Sequence, residues 1–255
     1  QNAIEQIRNT YEREIPRLFA SNIYNVVLNQ SNIRYGAVGS DPEHYHYWKD
    51  NDKEIVSDVE SHFKTLTTPS HLLEILKRFT FFKETGSGAK YTKIIPRHQQ
   101  FYATKEILRD ITDSEENDSF GRQLVVHVQG SGKSYAMMYA ANILAKERDY
   151  PVYIVVDEKE LVKQFGNELQ DIKEISETVI KSDDKDETGT EQLRKAVQSG
   201  ETGIILTILH LFNELDESVQ SPVENVVFAD EAHRFLEDVL GSSMEHTLQQ
   251  FHYYG

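Results

Sequence analysis

Leu124-Val125-Val126-His127-Val128-Gln129-Gly130-Ser131-Gly132-Lys133-Ser134 opens on an apolar run and closes on a glycine-rich turn. An amphipathic stretch follows at once, from Ser134 to Lys146. The order reads as strand, loop, helix. Such a loop holds phosphates, because successive backbone N–H groups and the positive end of the helix dipole point at one spot. Gly130, Ser131, Gly132, Lys133 and Ser134 supply the expected N–H cradle. Lys133 is suited to neutralising β- and γ-phosphates, and the Ser134 hydroxyl to ligating magnesium. The usual pattern has a glycine five residues before Gly132, where this chain has His127. A glycine-rich turn also opens ordinary helices, so the reading needs a partner elsewhere.

That partner ends another apolar run, Val226-Val227-Phe228-Ala229, and reads Asp230-Glu231-Ala232-His233. Asp230 would hold magnesium through water, and Glu231 would polarise the attacking water. An Asp in this place also reads as a helix N-cap. Beside Lys133 the nucleotide reading outweighs it, and ATP with Mg2+ is the expected cofactor pair.

Outward from these two segments, helices and strands alternate from about residue 95 onward. The expected elements are Gln99–Ile111, Leu124–Val128, Ser134–Lys146, Val152–Val156, Leu161–Ile172, Gly203–Ile208, Leu209–Leu215 and Val226–Ala229. Strands that are near-continuous apolar runs between helices predict an α/β fold, a parallel sheet with helices on both faces. Ligands of such sheets bind at the carboxyl ends of the strands. Both signature segments sit at such ends. Ahead of them, Arg97-His98-Gln99-Gln100 opens a helix. The Gln100 amide can donate to one adenine edge atom and accept from another, and Arg97 accompanies it as a candidate nucleotide contact.

The first third of the chain reads differently. Residues 1 to about 20 suggest a helix with Ile4, Ile7, Tyr11 and Ile15 on one face, interrupted at Pro16. Ile23–Leu28 and Ile33–Val38 suggest two strands joined by a polar turn. His44-Tyr45-His46-Tyr47-Trp48 invites a metal reading, but no further ligands stand at recognisable spacing, and an aromatic packing cluster is favoured. Ser70 to Phe82 suggests a helix burying Leu72, Leu73, Leu76 and Phe79, and Gly86-Ser87-Gly88 a linker. Asp157-Glu158-Lys159 superficially resembles a nuclease's acid–acid–lysine set, but it follows a buried strand without a partner acid and reads as a loop.

Composition bounds the rest. The chain has 255 residues, no cysteine and a net charge of −15. Disulfides and thiolate metal sites are therefore excluded, which fits an intracellular, cytoplasmic setting. No apolar run approaches the roughly 18 residues needed to span a membrane. Position 1 is not Met and no basic-then-apolar leader follows, so no secretion signal is expected. The acidic balance is awkward for a nucleic-acid enzyme, since phosphate contacts need Lys and Arg. A local basic groove, a larger assembly or adaptation to high salt would each reconcile it. Acid-rich loops such as Asp183–Glu187 and Ser114–Asp118 are the default explanation.

On these residues the chain resembles the motor (restriction) subunit of Type I restriction-modification enzymes, within helicase superfamily 2. The family's phosphate loop commonly reads His-Thr-Gln-Gly-Ser-Gly-Lys-Ser, against His127-Val128-Gln129-Gly130-Ser131-Gly132-Lys133-Ser134, so His127 is expected. Pro96-Arg97-His98-Gln99-Gln100-Phe101-Tyr102-Ala103 looks like its adenine-recognition segment. Asp157 to Phe165 matches the next helicase segment, associated with the DNA track. Ile204–Ile208 resembles a later one, except that Leu209-His210 replace the family's Gln-Lys. Asp230-Glu231-Ala232-His233-Arg234 matches in full. Ile15–Phe19 with Asn22, Arg34–Gly39 and Trp48-Lys49 resemble the end of the family's nuclease domain, without its catalytic acids and lysine.

The resemblance implies a RecA-like motor domain at 95–255, a helical linker at 69–94 and the tail of an α+β nuclease-type domain at 1–68. It implies an ATP-dependent translocase on double-stranded DNA, working with methyltransferase and specificity subunits and no membrane. With the second motor domain and its arginine finger outside this chain, these residues are expected to bind ATP but hydrolyse it feebly. The rival expectations are another superfamily 2 helicase or repair motor, and a nucleotide-gated scaffold that never turns ATP over.

Overall fold

The computed structural model describes residues 2–49, 59–85, 91–125, 132–175, 179–181, 188–230 and 239–255. The chain divides into two compact units, Gln1–Tyr102 and Ala103–Gly255.

The first unit opens with short helical pieces: α1 (Asn2–Gln6), a π-helical turn (Ile7–Tyr11), α2 (Glu12–Glu14) and α3 (Pro16–Phe19). This corrects the single amphipathic helix expected from the spacing. Ile4 is buried, but Tyr11 and Ile15 are exposed. The wider π turn throws the later residues off the 3.6-residue register, so they rotate away from the face Ile4 occupies. Next, β1 (Tyr24–Leu28) and β2 (Ile33–Ala37) form an antiparallel hairpin, to which β3 (His46–Tyr47) adds as a third strand. Asn29 closes the hairpin turn, its Oδ1 accepting from the N–H groups of Ser31 and Asn32. The aromatic run packs as expected: Trp48 is fully buried, with ring centroids 5.4 Å from both Tyr35 and Phe101.

Helices α4 (Val59–Thr67) and α5 (Pro69–Arg78) lead to an antiparallel pair, β4 (Phe81–Glu84) with β5 (Tyr91–Ile94). Two expectations are corrected here. The segment read as a helical linker contains a strand pair as well as a helix, and the helix stops at Arg78, leaving Phe81 and Phe82 in a strand. Its buried face also differs. Ile75 and Phe79 are buried, whereas Leu72, Leu73 and Leu76 are exposed. The ten-residue helix is apolar on two sides, and tertiary packing chose the side that meets the Phe101 ring, 4.8 Å from Phe79. The expected linker, Gly86–Gly88, lies outside the described residues.

Helix α6 (His98–Glu116) runs from the first unit into the second. The second unit is built on a six-stranded sheet ordered β6-β11-β10-β7-β9-β8, parallel throughout. Its strands are β6 (Arg122–Gln123), β7 (Pro151–Val156), β8 (Val179–Lys181), β9 (Gly203–Ile208), β10 (Asn225–Ala229) and β11 (Phe251–Tyr254). Helices α7 (Lys133–Glu147), α8 (Lys159–Gln170), α9 (Gly189–Ser199) and α10 (Val239–Leu248) alternate with them. Every residue of β7, β9 and β10 is buried. Those strands are cores of the sheet, covered on both faces, as their unbroken apolar runs predict. The Leu209–Leu215 helix is a 3-10 helix, Leu209–Glu214.

The expected Leu124–Val128 strand is corrected. The ladder begins earlier, at Arg122, and Leu124 is 66% exposed because β6 is an edge strand with a neighbour on one side only. Val126–Val128 lie outside the described residues. Among the described residues of the second unit, four elements escaped the sequence pattern altogether: β8, α9, α10 and β11. Of these β11 matters most, because it separates β6 from β10.

Candidate functional site

The site is built on one edge of the sheet. β6 and β10 both pair in parallel with β11, so their carboxyl ends share an edge. With one strand between them, those ends stand about 10 Å apart, two inter-strand spacings. Asp230 directly follows β10 and anchors there, its N–H donating to the Val155 carbonyl of β7 at 3.1 Å.

The start of α7 lies on the same edge, and chain lengths show why. The helix ends at Glu147, three residues before β7 begins, so its last turn is at the amino edge of the sheet. It packs along β7 and β9. Its 15 residues span about 22 Å, and the six of β7 about 20 Å. A helix of that length, running antiparallel to its strand, returns its N-terminus to the carboxyl edge. There Gly132 serves as N-cap in the left-handed region, φ +82° and ψ +47°. Its carbonyl accepts from the N–H groups of Tyr135 (3.1 Å) and Ala136 (3.4 Å). A side chain at Gly132 would strain this turn, which is why the loop ends on glycine. Lys133 is exposed and Ser134 half-buried. Thr104 on α6 donates its hydroxyl to the Ala136 carbonyl at 3.3 Å, steadying the first turn of α7.

The structure thus brings Gly132, Lys133, Ser134 and Asp230 to one edge. The donor set suits a magnesium–phosphate ligand: a hydroxyl and a carboxylate for the metal, an ammonium and helix N–H groups for phosphate oxygens. Gly130, Ser131 and Glu231 lie outside the described residues, as do His127 and His233.

Arg97 and Gln100 belong to the first unit. Gln100 is 4% exposed, and its Oε1 accepts from the backbone N–H of Arg97 at 2.8 Å. Arg97 immediately precedes α6, so the amide reaches back three residues to cap the helix start, half of a capping box. That role explains the glutamine's burial whether or not a base is present. Sequence reasoning missed the cap, although a Gln at the third position of a helix is its signature.

His44 and His46 sit in the aromatic stretch of the first unit. Among the described residues no group of three or more His, Asp or Glu could hold a metal ion. Instead burial first, and then neighbouring Arg97, His44, His98 and Arg34, hold His46 down at about 4. Burial likewise holds His98 at about 4, its Nδ1 lying 3.1 Å from the Tyr47 carbonyl. Asp157, Glu158 and Lys159 lead from β7 into α8, with Glu158 in the N-cap position.

Residues 99–255 match the family model of the SWI2/SNF2 ATPases. Among curated proteins, a putative type I restriction enzyme MjaVIIIP endonuclease subunit of Methanocaldococcus jannaschii is 30% identical over 92% of this chain and 24% of its own length. The type I restriction enzyme HindI endonuclease subunit of Haemophilus influenzae is 27% identical over 88% of this chain and 22% of its own length. The chain therefore spans about a quarter of the length of these relatives. No helix among the described residues is long and apolar enough to cross a membrane. With a parallel sheet carrying a lysine-bearing helix start and an acid-tipped strand on one edge, and with more than half its length matched, the chain belongs to the SWI2/SNF2 ATPase family.

Proposed function

We propose that this chain is the ATP-binding part of a motor that translocates double-stranded DNA, within the endonuclease subunit of a Type I restriction complex. The observation that carries the reading is the shared carboxyl edge of Lys133, Ser134 and Asp230. The relatives' names, endonuclease subunits of type I restriction enzymes, support the biological setting; methyltransferase and specificity subunits are the partners proposed here, and duplex DNA the proposed track.

Each residue has a chemical task. The α7 N-terminus and the Lys133 ammonium bind β- and γ-phosphate oxygens and offset the negative charge that grows on the leaving oxygen. Ser134 and Asp230 would hold Mg2+, which when bound neutralises phosphate charge. Glu231, the residue after Asp230, accepts a proton from water as the water oxygen bonds to the γ-phosphorus. The bond from that phosphorus to the bridging oxygen breaks, and ADP leaves with the electron pair. Gln100 and Arg97 are proposed to read the adenine. The energy released drives the step along DNA in the complete subunit.

The test uses the full-length subunit assembled with its partners and measures ATP hydrolysis with and without duplex DNA. Glu231→Gln should lower DNA-stimulated turnover about a hundredfold or more, the worth of a positioned base, while MgATP still binds. Unchanged turnover would refute the assignment and favour a scaffold that only binds nucleotide. Stimulation by RNA in place of duplex DNA would refute the track.

A further inference from the structure

The strand that leads into the phosphate loop is an edge strand of the sheet. β6 lies at an edge and pairs with β11 through Arg122 and Gln123. Backbone bonds extend the junction: Tyr253 N–H to the Gly121 carbonyl (2.8 Å), Gly255 N–H to Gln123 (3.1 Å) and Val125 N–H to Gly255 (2.6 Å). Backbone groups alike along the chain define register weakly. A slip of one residue moves the strand about 3.3 Å and turns every side chain to the other face.

Two side chains hold the register from outside the ladder. Asp110 on α6 accepts with one oxygen from Gln123 Nε2 at 2.5 Å and with the other from the Tyr254 hydroxyl at 2.8 Å. It thereby grips β6 and β11 together. Burial, and then the Asp110 carboxylate, push the Tyr254 phenol up, so it remains a donor. His252, on β11, is fully buried. Its Nδ1 accepts from the Gly121 N–H at 2.9 Å, which assigns the ring proton to Nε2, and Nε2 donates to Glu224 Oε1 at 2.7 Å. Gly121 precedes β6 and Glu224 precedes β10, so one ring ties together the entries of the two strands that flank β11. A Cβ at 121 would run into Asp110 Oδ2 and come within 2.6 Å of the Tyr254 hydroxyl, so a side chain there would push both groups aside.

We propose that Asp110 and His252 are positioning residues for the nucleotide site, setting β6 against β11 and thereby the phosphate loop against Asp230. The inference rests on the nucleotide reading above. Neither residue touches the nucleotide; each acts by raising the fraction of molecules whose β6 stands in the competent register. Apparent affinity falls in proportion to that fraction.

The test measures binding of a fluorescent ATP analogue with Mg2+ to the full-length subunit, turnover at saturating ATP, and thermal melting. Asp110→Ala and His252→Leu should each weaken nucleotide binding about tenfold, equivalent to about 1.4 kcal/mol, with saturated turnover kept within about twofold. His252→Asn keeps an acceptor where Nδ1 stands and should restore affinity. His252→Gln keeps the reach to Glu224, leaves the Gly121 N–H without its partner, and should bind as weakly as His252→Leu. Affinities that track melting temperature rather than the acceptor would overturn the proposal, and so would wild-type binding by all four variants. Tyr254→Phe deletes one hydroxyl and no packing, so it carries the test if Asp110→Ala does not fold: about threefold weaker binding supports the clamp, unchanged binding sinks it. Lys133→Ala separates the two readings. If it too leaves binding intact, the nucleotide site itself is wrong; if it alone abolishes binding, only the clamp is.

Discussion

Gly132→Ala offers a quantitative probe of the α7 start. The residue sits at φ +82°, where a Cβ crowds the following carbonyl. An L-residue forced into the left-handed region costs about 1–2 kcal/mol. Replacing Gly with Ala recovers about 0.4–1 kcal/mol by narrowing the unfolded ensemble. The net global loss is therefore about 1 kcal/mol, or about 2–4 °C in melting temperature for a domain of this size. Nucleotide binding should suffer more, because the strain is relieved by rotating the peptide that aims the loop's last N–H groups. About tenfold weaker MgATP binding is expected, a small misaiming of charge-assisted bonds. Ala141→Gly supplies the control. Ala141 is fully buried in the middle of α7, and glycine there costs about 1 kcal/mol in helix propensity plus about 0.8 for the lost methyl. This control should melt lower than Gly132→Ala yet bind ATP like wild type. Chemical denaturation and nucleotide titration on the same samples decide the matter. If the more destabilised Ala141→Gly loses affinity as much as Gly132→Ala, or if Gly132→Ala loses none, the backbone argument fails.

Two further outcomes concern the first unit. Trp48→Ala should destabilise it by about 3–5 kcal/mol, the cost of emptying a fully buried aromatic site, because the Trp48 ring contacts Tyr35, Phe101 and Tyr102; a loss under 1 kcal/mol by denaturant titration would show that the cluster is not its core. His46 and His98, each held near pH 4 against an ordinary 6.5, bind protons more readily when unfolded. Stability of this unit should therefore be full above about pH 6.5 and fall as pH drops toward about 4. A urea series across that window, compared with the His46→Asn/His98→Asn double variant, should show the wild type losing more; equal slopes would contradict the burial of neutral rings.

Much of the motor unit was legible because its signals are local. Val152–Val156, Gly203–Ile208 and Val226–Ala229 are apolar without alternation, and only strands covered on both faces can use such runs. The α7 start was legible because a Gly-Lys-Ser after a strand has few other uses. Legibility failed where one pattern serves two outcomes. Leu72, Leu73 and Leu76 make as good a helical stripe as Ile75 and Phe79, and only the neighbouring Phe101 ring separates them. Gln100 reads in sequence as an adenine contact, and the helix cap that its oxygen makes went unread because it depends on where the helix starts.

From the residues alone follow the strand–loop–helix chemistry, the acid tip at Asp230 and a parallel α/β class, since each depends on neighbours within a few positions. The tertiary structure decided the order of the strands. Phe251–Tyr254 enters between β6 and β10, a placement that backbone hydrogen bonds allow for any strand and that side chains select by packing. It decided as well that His252 and Asp110, unremarked in the sequence, meet Gly121, Gln123 and Tyr254. Contacts across 13 to 144 positions of chain leave no local trace, because what makes them is the fold itself.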